Sequence, residues 1–254
     1  MGWLGKSQTP WIKNTLITQF ARTYNISLDE AQQQSYTDFA CFNDFFTRAL
    51  QSDARPIASE PGAIVSPADG VVSQMGNIKD NQLLQAKGHK YSLNSLARNL
   101  DPGFNNGEFC TIYLAPSDYH RVHLPLTGTL TDTLAIPGEL FSVNGTTDAG
   151  ISGLFCRNER LVCRFETSHG PMLVILVGAL IVASIETDWL GPESPYVQDE
   201  YTSHLLQYNT GDEIGRFLLG STVICCFPQG SMAWQDGVQT GTRLQMGQQM
   251  GKLN

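Results

Sequence analysis

The stretch "GRFLLGSTVICCFPQG", residues 215–230, decides how this chain is read. Two apolar runs flank the dipeptide Gly220-Ser221, and both have the look of buried strand. Glycine followed by a hydroxyl, set where a strand should run on, reads first as a bulge or kink. It is not a G-x-S-x-G nucleophile elbow, because the second glycine is missing at the required offset. The run "MLVILVGALIVASI", residues 172–185, is β-branched and broken by Gly178. A membrane helix needs about 20 residues, so this run predicts two buried strands or one bent one.

Working outward, residues from Arg55-Pro56 onward alternate short apolar runs with Gly, Pro, Asn and Asp, the signature of a strand-rich domain with tight turns. The tail after Trp234 continues this texture with short strands. Residues 191–213 are polar and irregular and predict a long loop or lid. Before Arg55 the chain predicts helices. Thr9-Pro10 forms an N-cap signal, and Ile12, Leu16, Phe20 and Tyr24 then recur every four residues. Ser27 and Glu30 make a capping-box pattern that predicts a second short helix. Phe39, Phe42, Phe45 and Phe46 have helical spacing. The expected organisation is a helical region over 1–54, with possible membrane contact through its aromatics, and a β-rich domain over 55–254. The fold class is α+β, mostly β.

The 254 residues carry a net charge of −8 and no basic run, which argues against nucleic acid as a partner. Six cysteines without a C-x-x-C pair, and an opening "MGWLGKSQTP" without an apolar signal core, predict reduced buried thiols.

Three short segments carry residues able to do chemistry. "APSDYHRVHLP", residues 115–125, holds His120 and His123. Two histidines three apart suit a metal on a helix, but prolines frame the segment and no third ligand is near, so no metal is expected. "SPADG", residues 66–70, is an Asx-turn by composition, or else supplies Asp69 to orient an imidazole. With Ser221 these give an Asp, a His and a Ser in chain order Asp69, His123, Ser221, which a catalytic triad permits. A serine hydrolase with this triad, or a non-catalytic β module holding a metal on its histidines, are the alternative readings.

The segments "FNDFFTR", "SPADG", "QAKGHKYSL", "DYHRVHLP", "PGELFSVN", "FCRNERLVC", "VGALIVASIET" and "GDEIGRFLLGSTV" together resemble the phosphatidylserine decarboxylases, in order and over nearly the whole chain. The resemblance is to the bacterial single-domain branch, whose members usually carry a longer segment ahead of the position of Trp3. It implies a barrel-sandwich-hybrid-like core and cleavage of the Gly220-Ser221 bond by the chain itself. Ser221 would attack the Gly220 carbonyl, with His123 as base and Asp69 orienting it. Elimination would then release chain 1–220 and leave chain 221–254 with a pyruvoyl group made from Ser221. Both chains would stay together, "GRFLLG" and "TVICCF" sharing one sheet. The pyruvoyl carbonyl would form a Schiff base with phosphatidylserine, and His120 would protonate the product carbon or position the substrate carboxylate. Ser142 in "FSVN" would line the site. The resemblance places the enzyme peripherally on the cytoplasmic face of the cell membrane and allows a homodimer.

Overall fold

The computed structural model describes residues 2–85, 88–143, 150–179, 185–189, 191, 194–218 and 221–254, with the backbone alone for residues 2, 3 and 221. The strands are β1 (Ala63–Val65), β2 (Gly70–Asn77), β3 (Gln82–Leu84), β4 (Lys90–Ser92), β5 (Glu108–Leu114), β6 (Arg121–His123), β7 (Gly128–Ile136) and β8 (Arg160–Thr167). They continue with β9 (Gly170–Gly178), β10 (Ile185–Thr187), β11 (Glu200–Tyr208), β12 (Glu213–Phe217), β13 (Ser221–Phe227), β14 (Met232–Trp234), β15 (Arg243–Leu244) and β16 (Gln249–Leu253). Strand outweighs helix, as expected.

An eight-stranded sheet runs in the order β11-β7-β8-β9-β13-β5-β2-β15. Both ends are open, so this sheet does not close into a barrel. Two three-stranded sheets, β1-β16-β14 and β10-β12-β6, lie against one face. On that face Val223, Cys225 and Phe227 of β13 pack with Cys110, Ile112, Val174 and Leu176. On the other, Ile224 and Cys226 pack with Phe109, Leu173, Ile175 and Phe155. Burial on both faces is why "TVICCF" is apolar almost throughout. Cys110, Cys163, Cys225 and Cys226 are free and buried, and burial pushes the Cys110 thiol up to about 12.

Helix α1 (Gly2–Gly5) precedes α2 (Pro10–Tyr24), which starts at the expected proline, although the Thr9 side chain makes no capping bond. Its Ile17 and Ala21 are buried, and Phe20 meets the rings of Phe42, Phe45 and Phe46 edge-on. Only Phe42–Phe46 of the aromatic segment is helical (α3). Phe39 joins the same core from outside that helix.

Three expectations are corrected. Ser27 and Glu30 start no helix: Ser27 Oγ accepts the N–H of Asp29 in a turn, and Glu30 bonds to Arg55 instead of reaching back to a cap. Residues 191–213 are not all loop, because β11 pairs with β7 along an exposed sheet edge. An edge strand with little to bury has no clean alternation to read. "GRFLLG" and "TVICCF" do not share a sheet: β12 pairs with β10 and β6, while β13 lies between β9 and β5. The 172–185 run does form two strands, β9 and the start of β10.

Candidate active site

Ser221 is the first residue of β13. It pairs on one side with Leu114, the last residue of β5, and on the other with Gly178, the last residue of β9. Beyond Leu114 the chain turns through residues 115–120 into β6. Asp118 holds this turn: its Oδ2 accepts the Ala115 N–H at 2.7 Å, and its Oδ1 meets Arg243. The Phe217 N–H donates to the His120 carbonyl at 2.9 Å. The chain is thus tied to the histidine turn just before it reaches Gly220, which itself lies outside the described residues. At the end of β6 the His123 N–H donates to the Pro67 carbonyl at 2.8 Å, which brings the "SPADG" turn alongside.

The two imidazoles have the same protonation pattern. His123 Nδ1 lies 2.8 Å from the Gly211 carbonyl and His120 Nδ1 lies 2.8 Å from the Asp118 carbonyl. A carbonyl only accepts, so in both rings Nδ1 carries the hydrogen and Nε2 keeps its lone pair. His123 Nε2 accepts from the Tyr119 hydroxyl at 3.0 Å. His120 Nε2 is buried and has no hydrogen-bond partner among the described residues. Burial lowers the pKa of His123, opposed by its bond to Gly211. Burial lowers that of His120 to about 3, opposed by the Asp118 carbonyl and assisted by nearby Arg48. Both rings are therefore neutral bases. The Phe46 ring lies 4.0 Å from that of His120.

Asp69 is buried, but it is not hydrogen-bonded to His123; on that ring it acts as a nearby negative charge. Its carboxylate is held by Arg55, with Nε 2.9 Å from Oδ1 and Nη2 2.6 Å from Oδ2, and by the Met246 N–H at 2.8 Å. A polar cleft of about 490 Å³, lined by Arg48, Arg55, Asp69, Asp118, Tyr119 and Arg243 among others, opens onto this group. Among the described residues no three His, Cys, Asp or Glu side chains converge as metal ligands.

Ser142 is half-buried in the segment that follows Pro137. That segment is fixed by Asn158, whose Oδ1 accepts the Phe141 N–H at 3.1 Å. Its Nδ2 donates to the carbonyls of Phe141 at 2.9 Å and Gly178 at 2.8 Å. Since Gly178 pairs with Ser221, the Phe141–Val143 wall is anchored to the strand end that flanks the serine. Sequence reasoning did not single out Arg55, Tyr119, Gly211 or Asn158. Tyr119, Gly211 and Asn158 stand inside quoted motifs, whereas Arg55 gives no signal of its own.

The family profile described as phosphatidylserine decarboxylase matches residues 42–252, and a second, described as PSD, matches residues 1–25. A phosphatidylserine decarboxylase proenzyme of Alcanivorax borkumensis is 50% identical over 99% of this chain and 89% of its own length. Its counterpart in Saccharophagus degradans is 48% identical over 100% of this chain and 91% of its own length. That of Pseudomonas aeruginosa is 46% identical over 98% and 89%.

Proposed function

The chain belongs to the phosphatidylserine decarboxylase family, and we propose that it cuts itself between Gly220 and Ser221 and then converts phosphatidylserine to phosphatidylethanolamine and carbon dioxide. The observation that carries this reading is the placement of Ser221 at the head of a central strand, with the segment before it tied to a turn that presents two neutral imidazoles. In this reading Ser221 replaces Tyr119 as the donor to His123 Nε2 and loses its proton there as its oxygen attacks the Gly220 carbonyl. His123 returns that proton to the Ser221 nitrogen, which leaves an ester. Loss of the α-proton breaks the ester bond and frees residues 1–220 as a carboxylate. The dehydroalanine left on residue 221 takes up water and loses ammonia. Glycine at 220 leaves the attacked carbonyl unshielded.

The residues present fit a pyruvoyl group at position 221. A buried polar atom on the turn tied to this strand end, His120 Nε2, has no hydrogen-bond partner among the described residues. The group's carbonyl supplies an electrophile for the substrate amine and a sink for the electron pair released with carbon dioxide. The chain's residues do the rest. His120 relays a proton to the α-carbon once carbon dioxide has left. Ser142 and the Phe141–Val143 wall flank the substrate.

The two chains stay together because residues 221–254 supply a middle strand of the large sheet, its β15 edge, and two strands of a smaller sheet. No helix among the described residues is long and apolar enough to cross a membrane. Residues 1–54 would meet the cytoplasmic membrane face peripherally through α2, where Trp11 is 73% exposed. Lys13 does not contribute to that contact, since its Nζ donates to the Thr37 carbonyl at 2.8 Å.

Denaturing mass spectrometry of the purified protein tests the reading. Two chains are expected, the smaller spanning 221–254 and lighter by one ammonia than a serine-headed peptide. An intact chain that turns over substrate, or a smaller chain with a free amine, defeats it.

A further inference from the structure

Asp69 and Arg55 form a buried pair, each side chain 7% exposed. The guanidinium grips the carboxylate with two nitrogens, and its Nη2 also reaches Glu30 Oε2 at 2.8 Å. Nη1 donates to the Ala54 carbonyl at 2.6 Å. A carboxylate has about four lone-pair sites. Arg55 meets three of them, its Nε also lying 3.2 Å from Oδ2, and the Met246 N–H meets the fourth. From these contacts we infer that Arg55 is a positioning residue for self-cleavage: it fixes where the Asp69 carboxylate stands as a negative charge beside the His123 ring. This rests on the assignment of Asp69 and His123 above.

The geometry explains why an arginine stands there. A planar fork fixes both position and rotation of a carboxylate, whereas an ammonium fixes position alone. Without the fork, the carboxylate is held by one backbone N–H and is free to turn about it. His123 now gives its Nδ1 hydrogen to the Gly211 carbonyl. When Ser221 transfers its proton to Nε2, the ring becomes cationic. The carboxylate must then stand where its charge faces that ring, and Arg55 keeps it there. The Glu30 contact carries this constraint to residues before 54.

The test measures the rate at which freshly translated precursor splits, read on denaturing gels. Arg55→Gln should mature roughly 10²-fold more slowly, the scale expected when a reacting group loses its orientation. Arg55→Lys should fall between it and the parent, since charge is kept and the fork is lost. The double variant Arg55→Gln/Asp69→Asn should be no slower than Asp69→Asn alone, because Arg55 acts only through Asp69. Arg55→Gln maturing at the parental rate overturns the inference. So does a double variant slower than Asp69→Asn. If Arg55→Gln shows no cooperative melt, Arg55→Lys decides, and parental-rate cleavage there overturns the inference. An Asp69→Asn chain that matures normally removes the underlying assignment instead, a separable result.

Discussion

Asn158→Asp is nearly isosteric, so it opens no cavity and asks only what two N–H donors are worth. In the parent, Asn158 is fully buried and its Nδ2 serves the carbonyls of Phe141 and Gly178. The aspartate keeps the acceptor for the Phe141 N–H but turns an oxygen toward both carbonyls. Each carbonyl deprived of its donor costs about 1–3 kcal/mol, so the pair costs about 4 kcal/mol before any charge repulsion. In a chain of this size that lowers the thermal midpoint by roughly 8–16 °C. The assay is a thermal melt in a Ser221→Ala background, where cleavage does not complicate the transition. The matured Asn158→Asp enzyme should also turn over more slowly, because Phe141–Val143 loses its tie to the strand end beside residue 221. A midpoint within about 3 °C of the Ser221→Ala parent, corresponding to roughly 1 kcal/mol, would refute the reasoning.

His123→Ala should accumulate full-length precursor, since the imidazole proposed to take the Ser221 proton is gone; normal processing on a gel would move His123 into substrate handling. His120→Ala should still cleave while carbon dioxide release from phosphatidylserine micelles falls roughly 10²-fold; failure to cleave would exchange the roles of the two histidines. The His120 pKa, lowered to about 3 by burial, also sets a pH dependence. The unfolded ring binds a proton below about 6.5 while the folded ring refuses it, so stability present above that pH is lost as pH falls toward about 3. Melts of Ser221→Ala from pH 7 to pH 5 should therefore drop more steeply than those of Ser221→Ala/His120→Gln, and equal slopes would contradict the buried neutral imidazole.

What was legible in the sequence followed from burial. β13 and β9 are covered on both faces, so their apolar runs announced them. Phe42, Phe45 and Phe46 likewise announced a packed helix. β11 was hidden because its residues face solvent at an edge, where composition is free to look like loop. The division of "GRFLLG" and "TVICCF" between two sheets is set by what each strand pairs with, and an apolar run does not name its partner. At the site, histidines and a Gly-Ser pair carry their own chemical signal. Arg55 and Glu30 do not: an arginine before a proline and a glutamate three residues after a serine both have commoner readings. Their meaning comes from a carboxylate that the fold places between them and the rest of the site.

The change of texture at Arg55 separates two kinds of sequence, yet the contacts across it belong to one site. Phe46 stands against His120. The Thr47 carbonyl accepts from Arg121 Nε at 2.8 Å, and Arg48 Nη2 donates to the Ser117 carbonyl at 2.9 Å. These bonds grip both ends of the turn that carries His120. Burial of that imidazole, and hence its neutrality, depends on an aromatic ring supplied by the helical region. The same ring meets Phe20 of α2, with centroids 5.8 Å apart. Two aromatic contacts therefore connect α2, the element proposed to rest on the membrane, to the proposed proton carrier. Close-packed rings transmit displacement instead of absorbing it. α3 packs on the histidine turn, while β13 is fixed on both sides by β5 and β9.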